Sequence, residues 1–120
     1  MNQDEFIKIL KRDVTKSGTN DVIKNLIAPV GRKSSEKLLK MSEFYNSMDD
    51  ANKKIINEII YEAIDTGIFG FLCLIDGVRS VNMNGEENHL KLTFINDNTG
   101  KETVLNNPNQ DFLHDIYNAE

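Results

Sequence analysis

Apolar residues near the start of the chain recur at the three- and four-residue spacing of amphipathic helices. One stripe predicts a first helix over about residues 3–15. Ser17-Gly18 is expected to end it, because glycine readily takes the left-handed conformation of a helix terminus. A second, short helix is predicted from Asp21 to Ala28, where Pro29 closes it.

A third helix is expected to begin after Ser34 or Ser35, since either hydroxyl can cap its free N–H groups. Its apolar stripe consists of Leu38, Met41, Tyr45 and Met48. The segment Ser47-Met48-Asp49-Asp50 resembles a capping box, with an acid three residues after the serine, and predicts the start of a fourth helix.

The strongest periodicity of the chain follows this segment. From Ile55 to Ile75, apolar pairs repeat every four positions and polar residues occupy the gaps up to Thr66. A single helix over residues 48–76 is about 43 Å long, whereas a compact chain of this length is roughly 35 Å across. We therefore predict a long central helix that bends near Gly67 or Gly70. The same pattern leaves open a buried strand over residues 68–75, because periodicity alone does not separate the two.

This central segment is predicted to supply much of the core, because it is apolar all round after Thr66. The side chains expected to be buried are Ile59, Ile60, Ala63, Ile64, Phe71, Leu72 and Ile75. Cys73 lies within the most apolar stretch and is expected to be inaccessible to thiol reagents, with a packing rather than a catalytic role.

Beyond Asp76-Gly77 the pattern changes to short alternating segments separated by turn residues. A short strand is predicted over residues 78–83, before a turn at Asn84-Gly85. Strands over 90–95 and 102–105 flank a turn at 96–100 and form a hairpin. Asn107 is predicted to cap a last helix.

The apolar face of that last helix is expected to dock on the hairpin or on the central helix, burying Phe112, Leu113, Ile116 and Tyr117. The predicted fold class is α+β, in one domain over residues 1–120. It comprises an N-terminal helical part with the long bent helix, a small antiparallel hairpin sheet and the C-terminal docking helix.

Composition narrows the classes of function. The 120 residues include 14 basic and 19 acidic side chains, which gives a net charge of −5. An acidic surface repels nucleic acids and favours a protein partner with a basic surface. The longest uncharged apolar stretch is far short of a bilayer span, so no membrane association is expected. One cysteine and an N-terminus without a secretory pattern predict a cytoplasmic protein.

No catalytic residue and no cofactor is predicted from motifs. Gly31-Arg32-Lys33-Ser34 is not a P-loop, because Leu26 stands where the first glycine of that motif belongs. It is interpreted as a basic turn. Together with Lys37 and Lys40 it forms a basic patch that we interpret as a solvated face.

The candidate binding residues lie in and after the central helix. Glu58, Glu62 and Asp65 are spaced at i, i+4 and i+7, so their carboxylates share one helical face of the kind that hard cations prefer. Without an accompanying histidine this face is interpreted as solvated, and no metal is expected. Asp76 and Arg79 bracket a tight turn that they are predicted to lock by pairing. His114, in the predicted last helix, is the remaining candidate binding residue.

Two stretches of the chain resemble a family of short bacterial proteins. The first is 43–79, with Asn46-Ser47-Met48-Asp49-Asp50 and the run from Phe69 to Arg79; the second runs from Leu105 to Asn118. The resemblance covers about half of the chain and implies a bacterial source but no particular activity. In size and acidity the chain is also similar, in general style only, to immunity proteins that neutralise toxins.

These observations favour a non-enzymatic protein-binding module, with toxin immunity as one form of that function. The alternative is a small enzyme or metal-dependent protein that uses the carboxylates of Glu58, Glu62 and Asp65. A polar pocket where carboxylates converge would favour the alternative, and an acidic face without such a pocket would favour binding. The oligomeric state does not follow from the sequence.

Overall fold

The computed structural model describes residues 1–31 and 34–120. It contains α1 (Gln3–Leu10), a π-helical segment (Lys11–Lys16), α2 (Ser17–Ile27), α3 (Glu36–Asn46), α4 (Asp50–Ile75), β1 (Thr93–Ile95), β2 (Glu102–Val104) and α5 (Leu113–Ala119). Helices thus precede a two-stranded antiparallel sheet, and a last helix follows it. This confirms the predicted α+β class.

The first two predicted helices form one unbroken helical segment. Asn2 begins it with a capping box: its side chain accepts from the N–H of Glu5, and the Glu5 carboxylate accepts from the N–H of Asn2. The predicted stop at Ser17-Gly18 is wrong. Gly18 has no positive φ, and Thr19 donates its hydroxyl to the carbonyl oxygen of Thr15 within the continuing helix. Glycine permits a helix to end but does not require it.

The two following helix starts have side-chain caps. Ser35 accepts from the N–H of Leu38 at 3.1 Å, which confirms one of the two predicted caps of α3. The predicted capping box at Ser47 is wrong, because Ser47 donates its hydroxyl to the carbonyl oxygen of Phe44 at the end of α3. Asp49 caps α4 instead, by accepting from the N–H of Asn52 at 2.8 Å.

α4 continues as one α-helix through Gly67 and Gly70, so the alternative of a buried strand over residues 68–75 is wrong. The bend expected at these glycines stays a prediction. The helix ends in a Schellman motif, in which the N–H of Val78 donates to the carbonyl oxygen of Cys73 and that of Gly77 to Leu74. Gly77 has the positive φ of +80° that this ending requires. Within the described ranges, no helix combines the length and hydropathy needed to cross a membrane.

The hairpin forms where the alternating pattern predicted it. Phe94 pairs with Thr103 at the centre of the antiparallel ladder, and Gly100 turns the chain with a φ of +72°. The predicted strand over residues 78–83 is wrong. Only an isolated bridge joins Met83 to Glu86 across the Asn84-Gly85 turn, because that region is almost wholly exposed and has no neighbouring strand to pair with.

The chain divides into two compact units. Unit 1 comprises Met1–Arg12 and Thr66–Glu120, and unit 2 comprises Asp13–Asp65. The basic turn at residues 31–34 falls in unit 2, but Arg32 and Lys33 lie outside the described residues. The expected single domain over residues 1–120 stays a prediction.

The core of unit 1 joins residues from distant parts of the sequence. Its fully buried members are Ile7, Leu72, Leu105, Leu113 and Tyr117. Leu92, Phe94 and Ile116 pack against them. α5 therefore docks as predicted, and it also contacts α1, which the sequence did not indicate. Phe112, however, is partly exposed rather than buried.

The predicted core of the central helix is partly wrong. Leu72 and Cys73 are buried, whereas Ile60, Ile64 and Ile75 are only partly buried. Three further members of the predicted set are exposed: Ile59, Ala63 and Phe71. The segment after Thr66 has apolar residues on every side, so its pattern does not indicate which side faces the core.

Leu72 and Phe71 provide a matched pair for testing this packing. Leu72 is 1% exposed and Phe71 57% exposed. Leu72→Ala is expected to lower the free energy of unfolding by about 2–5 kcal/mol, because it leaves a cavity in the core. Phe71→Ala is expected to lower it by less than about 1 kcal/mol. Urea denaturation followed by circular dichroism measures both, and equal losses would contradict the described orientation of α4.

Candidate functional site

The end of α4 places Asp76 against the first turn of α5. The Schellman motif turns the chain directly after this residue, and its carboxylate is almost fully buried. Oδ1 accepts from the N–H of Leu113 at 3.1 Å, and Oδ2 accepts from the N–H of His114 at 2.8 Å. α5 has no side-chain cap of its own. Asp76 therefore caps the helix from 37 residues away, and its charge suits the positive end of the helix dipole.

His114 lies between two carboxylates and two phenyl rings. Its Nδ1 is 2.7 Å from Oδ2 of Asp76, and its Nε2 is 3.3 Å from Oδ1 of Asp115. The ring stacks on Phe112, with centroids 5.3 Å apart, and meets Phe69 edge-on at 5.7 Å. The imidazole is thus held by Asp76 at Nδ1 and by Phe112 on one face, and little of it is exposed.

This arrangement fits an anchor better than a catalytic base. A histidine base needs one ring nitrogen directed at a substrate, with the other held by a carboxylate. Here Asp76 holds Nδ1, but only 13% of the His114 side chain is exposed, which leaves a substrate little access to Nε2. Both oxygens of Asp76 are already bonded to α5. The side chains of Asp76 and His114 therefore fix the start of α5 to the end of α4.

The predicted pairing of Asp76 with Arg79 is wrong. Neither a hydrogen bond nor an ion pair joins these two described residues, because Asp76 binds α5 instead. The Arg79 guanidinium lies over Gly70, with Nη1 only 3.3 Å from the position that a Cβ would take there. Gly70 therefore leaves room for the arginine along α4.

The carboxylate face of α4 does not form a cluster. Glu58 and Glu62 are exposed, and Asp65 is partly buried. Across residues 1–31 and 34–120, no group of three or more His, Cys, Asp or Glu side chains is arranged to hold a metal ion. The second histidine, His89, is exposed in the loop before β1.

Two further polar anchors in unit 1 were not predicted. Asn106 donates to the carbonyl oxygens of Ile75 and Leu90 at 2.8 Å each, and its Oδ1 accepts from the N–H of Leu92 at 2.8 Å. Gln3 donates to the carbonyl oxygens of Leu105 and Asp111 at 2.7 Å each. No local pattern reveals them, because their partners are distant in sequence.

Several polar contacts join the helices of unit 2. Ser42 donates to the carbonyl oxygen of Leu26 at 2.6 Å, and the amide of Asn46 donates to those of Leu26 and Ile27. These carbonyls belong to the last turn of α2 and have no partner within that helix. Tyr45 donates to Oδ1 of Asn57 at 2.8 Å, which links α3 to α4.

Unit 2 buries few apolar side chains and presents an apolar groove to the exterior. Among its described residues, only Leu26 and Tyr45 are buried apolar side chains. The groove has a volume of about 450 Å³ and lies among α2, α3 and the first half of α4. Its lining residues are Val22, Asn25, Leu26, Leu38, Met41, Phe44, Ile56 and Ile60. Asn25 is the one polar side chain among them.

Large apolar side chains continue outside the groove. Phe44, at its edge, is 63% exposed, and Ile27, Leu39, Ile55 and Ile59 are also exposed. A smaller hollow adjoins the groove at Met41 and is lined by Glu36, Lys37 and Lys40. A signal for this surface is present in the sequence, since Leu38 and Met41 belong to the predicted α3 stripe. An apolar stripe by itself does not distinguish a core face from a groove.

Asp76→Ala is expected to lower the free energy of unfolding by about 2–4 kcal/mol, because it removes the cap of α5 and leaves buried donors without an acceptor. Asp115→Ala removes only an exposed partner of the same histidine and is expected to cost less than about 1 kcal/mol. Chemical denaturation gives both values, and amide hydrogen exchange should accelerate at Leu113 and His114 in Asp76→Ala alone. Unchanged exchange there would contradict the cap.

Comparison with known proteins finds no family model, no curated protein and no solved structure that matches this chain. The family resemblance of residues 43–79 and 105–118 therefore stays a prediction.

Proposed function

We propose that this chain is a protein-binding module and that the apolar groove of unit 2 is its binding surface. The observation that carries the proposal is the combination of a groove lined almost entirely by apolar side chains with a unit whose described residues include only two buried apolar side chains. Apolar area left in water is unfavourable by about 25 cal/mol per Å². Contiguous exposed apolar surface is typical of interaction sites.

A protein partner fits this surface better than a small molecule. Small-molecule sites combine an apolar lining with several well-placed polar groups, whereas this groove offers Asn25 alone. Leu39, Ile55 and Ile59, on two of the helices that line the groove, add further exposed apolar side chains to unit 2. An amphipathic helix covers such an area by placing side chains at i, i+3, i+4 and i+7 into the groove.

The net charge of the chain affects the rate of association with a partner rather than the apolar contact in the groove. Unit 1 contains 10 acidic and 6 basic side chains, whereas unit 2 contains 9 acidic and 8 basic ones. The acidity of the chain thus belongs mainly to unit 1. Such a charge accelerates association with a partner of basic surface, which a toxin that acts on nucleic acid would have. Binding of such a toxin in the cytoplasm is the immunity form of the proposal.

The test uses the products of the genes adjacent to this one, purified separately and mixed with the chain. Isothermal titration calorimetry is expected to show binding of one of them. Phe44→Glu should weaken that binding at least about tenfold, because it places a charge in the apolar contact. Phe71→Glu introduces the same charge at an equally exposed phenylalanine of unit 1 and should leave the affinity unchanged.

The immunity form predicts in addition that co-expression of the chain restores growth to cells that express the bound product. Binding that Phe44→Glu leaves intact would contradict the groove as the binding surface. Binding without rescue of growth would contradict the immunity form alone.

A further inference from the structure

We propose that the groove of unit 2 binds the exposed face of α4 from a second copy of this chain, so that the protein forms a symmetric dimer. This inference rests on the proposed function, because the second copy occupies the same groove while no other partner is bound, so that the two occupants compete for it. Three observations support the second copy as that occupant: exposed apolar anchors at helical spacing, unpaired charges of opposite sign, and the position of both on one unit.

The anchors are Ile55 and Ile59 of α4. They lie one helical turn apart and are 54% and 60% exposed, which is unusual for isoleucine at two successive turns. Their side chains point in the same direction, as do those of a helix that inserts into a groove. Ile56 and Ile60 follow them by one residue and line the groove. The projecting face and the receiving face are therefore neighbours on one helix.

The charges beside the two faces are complementary. Lys37 and Lys40 lie on α3 at the hollow that adjoins the groove, together with Glu36. Glu58 and Glu62 flank Ile55 and Ile59 on the exposed side of α4, and all are exposed. Within the described part of the chain, no hydrogen bond or ion pair engages the side chain of either lysine or of either of these two glutamates. A second α4 in the groove brings its glutamates to the lysines of the first copy.

In a dimer with two-fold symmetry, the contact between the α4 face of one copy and the groove of the other occurs twice. In an isologous dimer each copy contributes the same patch, so each inserts its isoleucines and each receives those of its partner. The lysines of one copy then face the glutamates of the other on both sides. The arrangement buries apolar surface that unit 2 otherwise leaves in water.

Charge reversal tests the pairing with two variants, whose behaviour alone is compared with that of their mixture. Lys37→Glu/Lys40→Glu makes both patches of a copy acidic, and Glu58→Lys/Glu62→Lys makes both basic. Each variant alone is expected to dimerise at least about tenfold more weakly than the native chain, because like charges then oppose each other. An equimolar mixture of the two is expected to recover the dimer, since both contacts are again between opposite charges. Sedimentation velocity at low ionic strength measures all three.

Matched variants separate this pairing from the effect of net charge. Lys91→Glu/Lys101→Glu and Glu86→Lys/Glu87→Lys make the same charge changes at exposed positions of unit 1. They are expected to leave dimerisation unchanged. Ile59→Glu tests the apolar contact and is expected to abolish the dimer, while circular dichroism shows that the helix content is retained.

A native chain that stays monomeric over the accessible concentration range would overturn the second copy as the occupant. If such a monomeric chain bound a neighbouring gene product and Phe44→Glu abolished that binding, the groove would be a site for a different protein. The proposed function would then be supported and only the dimer contradicted. A mixture of reversed variants that stays monomeric, or an equal loss in the matched variants, would also overturn the pairing.

Discussion

The carboxylate of Asp76 bonds to two backbone N–H groups and the imidazole at the start of α5. α5 has seven residues, too few to be stable in water without tertiary contacts. It nevertheless supplies Leu113 and Tyr117 to the core of unit 1, where they pack with Ile7 of α1 and Leu105 after β2. Without the Asp76 cap, the start of that helix would leave the N–H groups of Leu113 and His114 unbonded beside the core. The position of Asp76 depends in turn on Gly77, whose positive φ ends α4 at this point.

The two units differ in what holds them together. Unit 1 combines a contiguous apolar core with long-range polar contacts made by Gln3, Asp76 and Asn106. Unit 2 relies on Ser42, Tyr45 and Asn46, which bond to carbonyls of α2 and to α4. Apolar side chains of α2, α3 and α4, among them Leu38, Met41 and Ile60, line the groove rather than a closed core. The proposed binding function follows from this difference.

The sequence predicts those features that local spacing determines. The Ser35 cap, the continuous periodicity of α4, the hairpin and the apolar face of α5 each depend on residues close together in the chain. Periodicity identifies an apolar face but not what covers it. The face that contains Ile59 was predicted to be core and is exposed, and the α3 stripe that includes Met41 lines the groove. The sequence predicts that Asp76 lies at a tight turn. Its partner Leu113, however, lies 37 residues away, and a pattern of neighbouring residues does not indicate so distant a contact.

The discontinuous make-up of unit 1 has a consequence for the order in which the chain folds. Unit 2 is one uninterrupted stretch of sequence, so its contacts close only short loops. The core of unit 1 joins Ile7 to Leu113, and it remains incomplete on the ribosome until residues beyond Tyr117 have emerged. Chain entropy barely penalises this separation, since each doubling of loop length costs only about 0.6 kcal/mol. Folding speed, in contrast, falls as contacts become more distant in sequence. During synthesis, α1 is therefore made long before its partner α5, and its apolar face, with Ile7 at the centre, is open to chaperones throughout that interval.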